Sequence, residues 1–168
     1  MRRVSLLTTE NAENNDRDDR TMKSIIIRPA TDADAGALAR MNQAFNGVTD
    51  APAQIAARLA ACAGIETPIL AELGDAICGF ACVRLVPCVL YAEPYAELTE
   101  LYVEPEFRRR GVGRALIAYA ERLAHARGAG DLIIMTGLDN APAQALYRAM
   151  GYDTYAVAMN RKGEVVKG

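Results

Sequence analysis

The stretch RRRGVGRAL, Arg108 to Leu116, sets four arginines around two glycines and then runs directly into a helical pattern. Upstream, Leu98 to Val103 reads as a strand closed by Glu104-Pro105. Downstream, Val112, Leu116, Tyr119 and Leu123 recur at spacings of four, three and four, an amphipathic stripe. The N–H groups at a helix start lack intrahelical partners and lie at the positive end of the helix dipole. Glycine lets an anion reach the backbone where a Cβ would collide, and arginine adds charge. A pyrophosphate is the anion such a loop would suit. A solvated basic turn capped by ordinary glycines is the other reading of the same residues.

Two familiar phosphate loops do not fit. A dinucleotide loop needs GxGxxG or GxGxxA, and the residue three beyond Gly113 is Leu116. A P-loop needs GxxxxGK followed by Ser or Thr, and neither that spacing nor the lysine is present.

Working outward, SIIIR (24–28) is β-branched and reads as a strand ended by Pro29. Thr31 or Asp32 can cap a helix whose apolar face is Ala35, Leu38, Ala39 and Met41. Asn46-Gly47 ends it, and Pro52 opens a second helix through Ile55, Leu59 and Cys62 up to Gly64. Apolar runs at 69–73 and 76–86 flank Gly74-Asp75, a hairpin turn. PCVLYAEPY (87–95) holds two prolines and reads as an irregular connection. After the 112 helix, Gly128 and Gly130 intervene. A short strand over 132–135, a helix over 141–150 and a last strand over 152–159 follow. This order predicts one layered α/β or α+β domain over residues 23–168.

NAENNDRDDR (11–20) has six charges and no large apolar residue, so residues 1–22 are expected to form a disordered tail. Apolar patterning starts just after Met22, so translation from Met22 and a genuine disordered extension both fit. The chain has 168 residues and 51% hydrophobic content, enough for one core, and its net charge of −2 argues against bulk attraction to nucleic acid or anionic membrane. No apolar run approaches the roughly 18 to 20 residues of a membrane span. The four cysteines form no CxxC pair and only one histidine, His125, is present, so no metal site is expected. They read as reduced thiols in a cytoplasmic protein. Cys78 and Cys82 are expected on one strand face with Phe80, with nothing nearby to activate them as nucleophiles. His125 reads as a surface residue near a helix C-terminus rather than a base.

The segment LYVEPEFRRRGVG (101–113) resembles the acetyl-CoA loop of the GNAT superfamily of N-acetyltransferases. So do IRPATDADAGAL (27–38), LAELGDAICGFACV (70–83) and NAPAQALYRAMGY (140–152), in the same order. The resemblance spans about Lys23 to Met159. It implies a mixed central sheet of about six to seven strands flanked by about four helices. It also implies acetyl-CoA as co-substrate, with a bulged, splayed strand offering the backbone of Leu101, Tyr102 and Val103 to the pantetheine arm. The pyrophosphate would lie on Arg108, Arg109, Arg110, Gly111, Val112, Gly113 and Arg114. Asn140 and Tyr147 match the pair that touches CoA, and in relatives the tyrosine hydroxyl can protonate the departing thiolate. Read without the resemblance, those two residues are an N-cap and a core tyrosine.

For the general base the resemblance offers a strand glutamate, with Glu100 ahead of Glu97; a solvated carboxylate is the other reading. Simple alternation puts the two on opposite faces, Glu100 with Leu98 and Tyr102, Glu97 with Thr99 and Leu101. A base carried by some relatives five residues before the asparagine is absent, because Met135 stands there. YAEPYAELTE (91–100) combines carboxylates and aromatic rings near the expected acceptor side, which suits a small cationic amine. A polar loop covering a strand edge is the bland reading. A peptide N-terminus or lysine acceptor, and a non-catalytic CoA-binding regulatory module, remain alternatives, and a homodimer is compatible with the family.

Overall fold

The computed structural model describes residues 24–154 together with 156, 158 and 159. The expected tail, residues 1–22, lies outside the described residues. The chain runs β1 (Ile25–Pro29), α1 (Ala35–Asn46), α2 (Pro52–Ala61), β2 (Glu66–Leu73), β3 (Ala76–Val86), β4 (Tyr95–Val103), α3 (Val112–Ala126), β5 (Ile133–Ile134) and α4 (Ala141–Arg148). Among the described residues the sheet has five strands in the order β1-β2-β3-β4-β5, all antiparallel except the β4–β5 pair. That is fewer than the six to seven expected. Tyr152 to Thr154, where the last strand was expected to begin, are not in a strand, and residues 155, 157 and 160–168 lie outside the described residues.

Each sheet face has its own core. Ile69, Ala81, Val83, Leu98, Leu101 and Val103 meet α3 through Val112, Leu116 and Ile117. On the other face Leu70, Phe80 and Tyr102 meet Leu38 and Met41 of α1 and Ile55 and Leu59 of α2. The predicted α1 stripe is borne out, since Ala35, Leu38, Ala39 and Met41 are all buried. The Phe45 ring extends the second core, 5.4 Å from Tyr102 and 6.2 Å from Phe80.

Two bulges break the alternation assumed from sequence. Between β2 and β3 the register jumps from Ala71↔Gly79 to Glu72↔Ile77, leaving Cys78 as the extra residue. Cys78 therefore joins the α3 core while Phe80 and Cys82 face α1 and α2, and the expectation of a shared face is corrected. Between β3 and β4 the register jumps from Cys82↔Glu100 to Val83↔Leu98, leaving Thr99 as the extra residue.

Gly79 fits tightly beside β4: a Cβ there would lie 2.6 Å from the Tyr102 carbonyl oxygen, a backbone atom that cannot swing aside. Gly79→Ala is therefore expected to cost about 2 kcal/mol by forcing β3 away from β4. Urea unfolding checks this, and an unchanged midpoint would contradict it.

Candidate active site

The glycine-arginine loop is hung from the end of β4 by a short 3-10 turn, Pro105–Phe107. Arg109 (φ 62°) and Gly111 (φ 87°) both adopt left-handed backbone, the latter as N-cap of α3. At Gly111 that conformation makes any side chain costly. The first intrahelical bond runs from the Ala115 N–H to the Gly111 carbonyl, 3.0 Å. Among the described residues, no backbone N–H from Arg109 to Arg114 has a hydrogen-bond partner. A run of free donors at the positive end of a 15-residue helix is a ready anion site.

Beside this loop the sheet opens. β4 and β5 pair only at Glu97↔Ile133 and Leu98↔Ile134, so Thr99 to Val103 have no neighbour on the β5 side among the described residues. The main chain of Leu101, Tyr102 and Val103 thus borders a gap into which an amide-bearing chain can dock by strand addition. α4 flanks the same opening. The Arg114 guanidinium donates to the Ala149 carbonyl, 3.4 Å. The Gly113 N–H is one of the free donors, and the residue's missing Cβ faces Leu146, whose Cδ2 would be 3.3 Å away, and Val103. This glycine makes room for α4.

Asn140 is the N-cap of α4, its side-chain oxygen accepting from the Ala143 N–H at 3.4 Å. Tyr147 is half-buried against the α3 core, and its ring lies 6.3 Å from that of Tyr152. Burial raises the Tyr147 phenol above its ordinary value. Its hydroxyl has no hydrogen-bond partner among the described residues, and it is not sealed from solvent. The residue can therefore hold a proton at neutral pH and present it outward.

The bulge at Thr99 brings Glu97 and Glu100 to one face, contrary to the alternation argument, and parts Leu98 from Tyr102. Glu97 stands opposite Arg84 and Glu100 opposite Cys82, two positions apart on β3. Glu66, which the sequence reading missed, completes the group. It accepts from the Thr99 hydroxyl at 2.7 Å and from Arg84 at 3.2 Å, and Arg84 lies 3.9 Å from Glu97. Glu66 and Glu97 thus share one guanidinium on the α1/α2 face, and Glu100 stands on that face with no cation paired to it among the described residues. Glu66 could be found only after the β2–β3 register was known.

Arg108 also has a structural contact within the loop. Its Nε donates to the Val103 carbonyl at 2.9 Å, and its guanidinium lies 5.9 Å from the Tyr102 ring centre. That side chain braces the loop; Arg109, Arg110 and Arg114 supply the remaining charge. The Tyr91–Pro94 part of the acidic-aromatic stretch lies at the end of the sheet opposite the loop. Glu93 lies against Gly130 and Pro94 beside Gly128, past the end of α3. Tyr91 to Pro94 thus precede β4, whose length puts the loop roughly 25 Å away. An open depression of about 330 Å³, lined by Glu121, His125, Asp131 and Tyr152 among others, lies at that far end too. His125 is exposed there. Burial pushes up the thiols of Cys78 and Cys82, so neither is set up as a nucleophile.

Residues 39–152 match the acetyltransferase (GNAT) family. The chain belongs to the GNAT acetyltransferase family. It is 31% identical over 131 residues to the aminoglycoside N(6')-acetyltransferase type 1 of Stenotrophomonas maltophilia, covering 76% of this chain and 85% of that protein. An uncharacterized N-acetyltransferase of Methanocaldococcus jannaschii is 37% identical over 73 residues, 44% of this chain. The chain's match spans only 29% of that relative's length. A solved putative acetyltransferase from Agrobacterium tumefaciens superposes with a TM-score of 0.75 at 21% identity, covering 82% of this chain and 99% of that one.

Proposed function

We propose that this protein is a cytoplasmic N-acetyltransferase that moves an acetyl group from acetyl-CoA to a small cationic amine. The free N–H groups from Arg109 to Arg114, opening onto the uncovered β4 edge, carry that reading. They fit a pyrophosphate followed by an amide-bearing arm, with Leu101, Tyr102 and Val103 receiving the arm and Asn140 and Tyr147 flanking it. Acetyl-CoA supplies a thioester carbonyl that an uncharged amine can attack. Glu100 takes the proton the amine must lose, and Tyr147 delivers one to the departing sulfur. The two approach the gap from opposite sheet faces, Glu100 on the α1/α2 side and Tyr147 on the α3 side.

One arginine between Glu66 and Glu97, with Glu100 on the same face, leaves a net negative surface that favours an acceptor with more than one positive charge. The aminoglycoside acetyltransferase relative supports the same class. Reduced surroundings suit the four free thiols.

Free-thiol release from acetyl-CoA, followed across diamines, aminoglycosides, neutral amino acids and peptides, tests the reading. Release should require an amine, favour polycations, and fall about tenfold in kcat/KM for polycations in Glu100→Gln. Equal use of neutral and polycationic amines would sink the acceptor assignment. CoA binding without turnover on any amine or peptide would replace the enzyme with a binding module.

A further inference from the structure

Among the described residues, Glu104 is one of three buried acidic side chains, and the chemistry above leaves it unused. It stands where β4 ends and the loop begins. Its N–H donates to the Cys78 carbonyl at 3.0 Å, and its own carbonyl accepts from the Phe107 N–H at 2.9 Å. The 3-10 turn that leads into Arg108 therefore hangs from this residue. Its carboxylate accepts the Tyr102 hydroxyl at 2.9 Å on one oxygen and an ion pair from Arg40 of α1 on the other. Tyr102 in turn lies under the Arg108 guanidinium, which grips the Val103 carbonyl. Burial, then the bond to Glu104, raise the Tyr102 phenol, so that hydroxyl stays a donor.

We propose that Arg40 and Glu104 are positioning residues, a brace from α1 that sets the cofactor loop in its binding geometry; this rests on the acetyl-CoA reading above. A buried carboxylate stripped of its cation is held in place poorly, and turning it out to water costs less than leaving it unpaired. When Glu104 turns, its bond to Tyr102 goes, and the turn that carries Arg108 to Gly111 keeps its backbone bonds but loses its side-chain tie to α1 and to Tyr102. Neither residue touches the reacting atoms, so the damage falls on cofactor affinity rather than on the chemical step. The Arg40 side chain is 58% exposed, so its truncation leaves the core intact.

Calorimetry with CoA and steady-state kinetics in acetyl-CoA test the brace in the full chain. Arg40→Ala should raise the CoA Kd and the KM for acetyl-CoA about tenfold, with kcat at saturation within about twofold. Arg40→Lys, which keeps a cation in reach of Glu104, should recover most of the affinity. Glu104→Gln, which still accepts from Tyr102 and has no charge to strand, should lose less affinity than Arg40→Ala, and Arg40→Ala added to it should cost less than it does alone. CoA affinity in Arg40→Ala within twofold of wild type would overturn the proposal. So would a loss confined to kcat, or no recovery with lysine. If the wild-type protein itself binds no CoA, the underlying reading falls and takes this inference with it.

Discussion

Tyr147→Phe is expected to lower kcat about a hundredfold while leaving the CoA Kd within about twofold. The substitution removes one hydroxyl and keeps the ring, so the contacts of the half-buried side chain with the α3 core and with Tyr152 persist. No hydrogen bond among the described residues depends on that hydroxyl, and stability should therefore hardly change. Because burial raises the phenol, the group is protonated throughout the neutral range. The proton-donating arm of the wild-type pH profile should then lie well above pH 8 and vanish in the variant. Stopped-time thiol release against pH reads both effects. A variant with wild-type kcat would remove Tyr147 from the chemistry and return it to the core.

Asp34→Ala is expected to destabilise the fold by about 2 to 4 kcal/mol at pH 7, or roughly 5 to 12 °C in Tm. Asp34 is 6% exposed and accepts two bonds from the Arg28 guanidinium, both 2.8 Å, plus the Thr31 N–H and hydroxyl at 2.7 and 2.9 Å. Arg28 also reaches Glu72, so one guanidinium fastens β1, β2 and the turn into α1. The Arg28 bonds, together with those from Thr31, hold the Asp34 carboxyl well below its ordinary range. A carboxyl depressed by folding contributes its full stability above the unfolded value, about 3.9, and loses it as pH falls toward the lower folded value. The gap between wild type and Asp34→Ala should thus be constant from pH 7 to about 5 and shrink below about 4. Urea unfolding at several pH values measures it. A gap that widens on acidification would contradict the assignment.

The parts of this molecule legible in its sequence are those where local chemistry and tertiary fate agree. The α3 stripe, the Gly74-Asp75 turn, the α1 face and the glycine loop each carry their signal within a few residues. The β4 bulge does not. Nothing in ELTEL tells which residue will be extra, yet that one residue moves Glu97 and Glu100 to a common face and detaches Leu98 from Tyr102. The same holds at Cys78. Contacts between distant segments were equally hidden: Glu66 reaches Thr99 across 33 positions and Arg40 reaches Glu104 across 64. Gly113 carries a second reason for being glycine that the sequence hid, since the space a Cβ would take is filled by Leu146 of α4.

The central claim is that CoA lies along β4 and on the amides that open α3. Hydrogen–deuterium exchange with and without CoA tests it most directly. Saturating CoA should slow exchange in peptides covering 99–114 and 140–147 and leave 87–95 and 121–132 unchanged. Unchanged exchange over 109–114, or protection confined to the far end of α3, would contradict it.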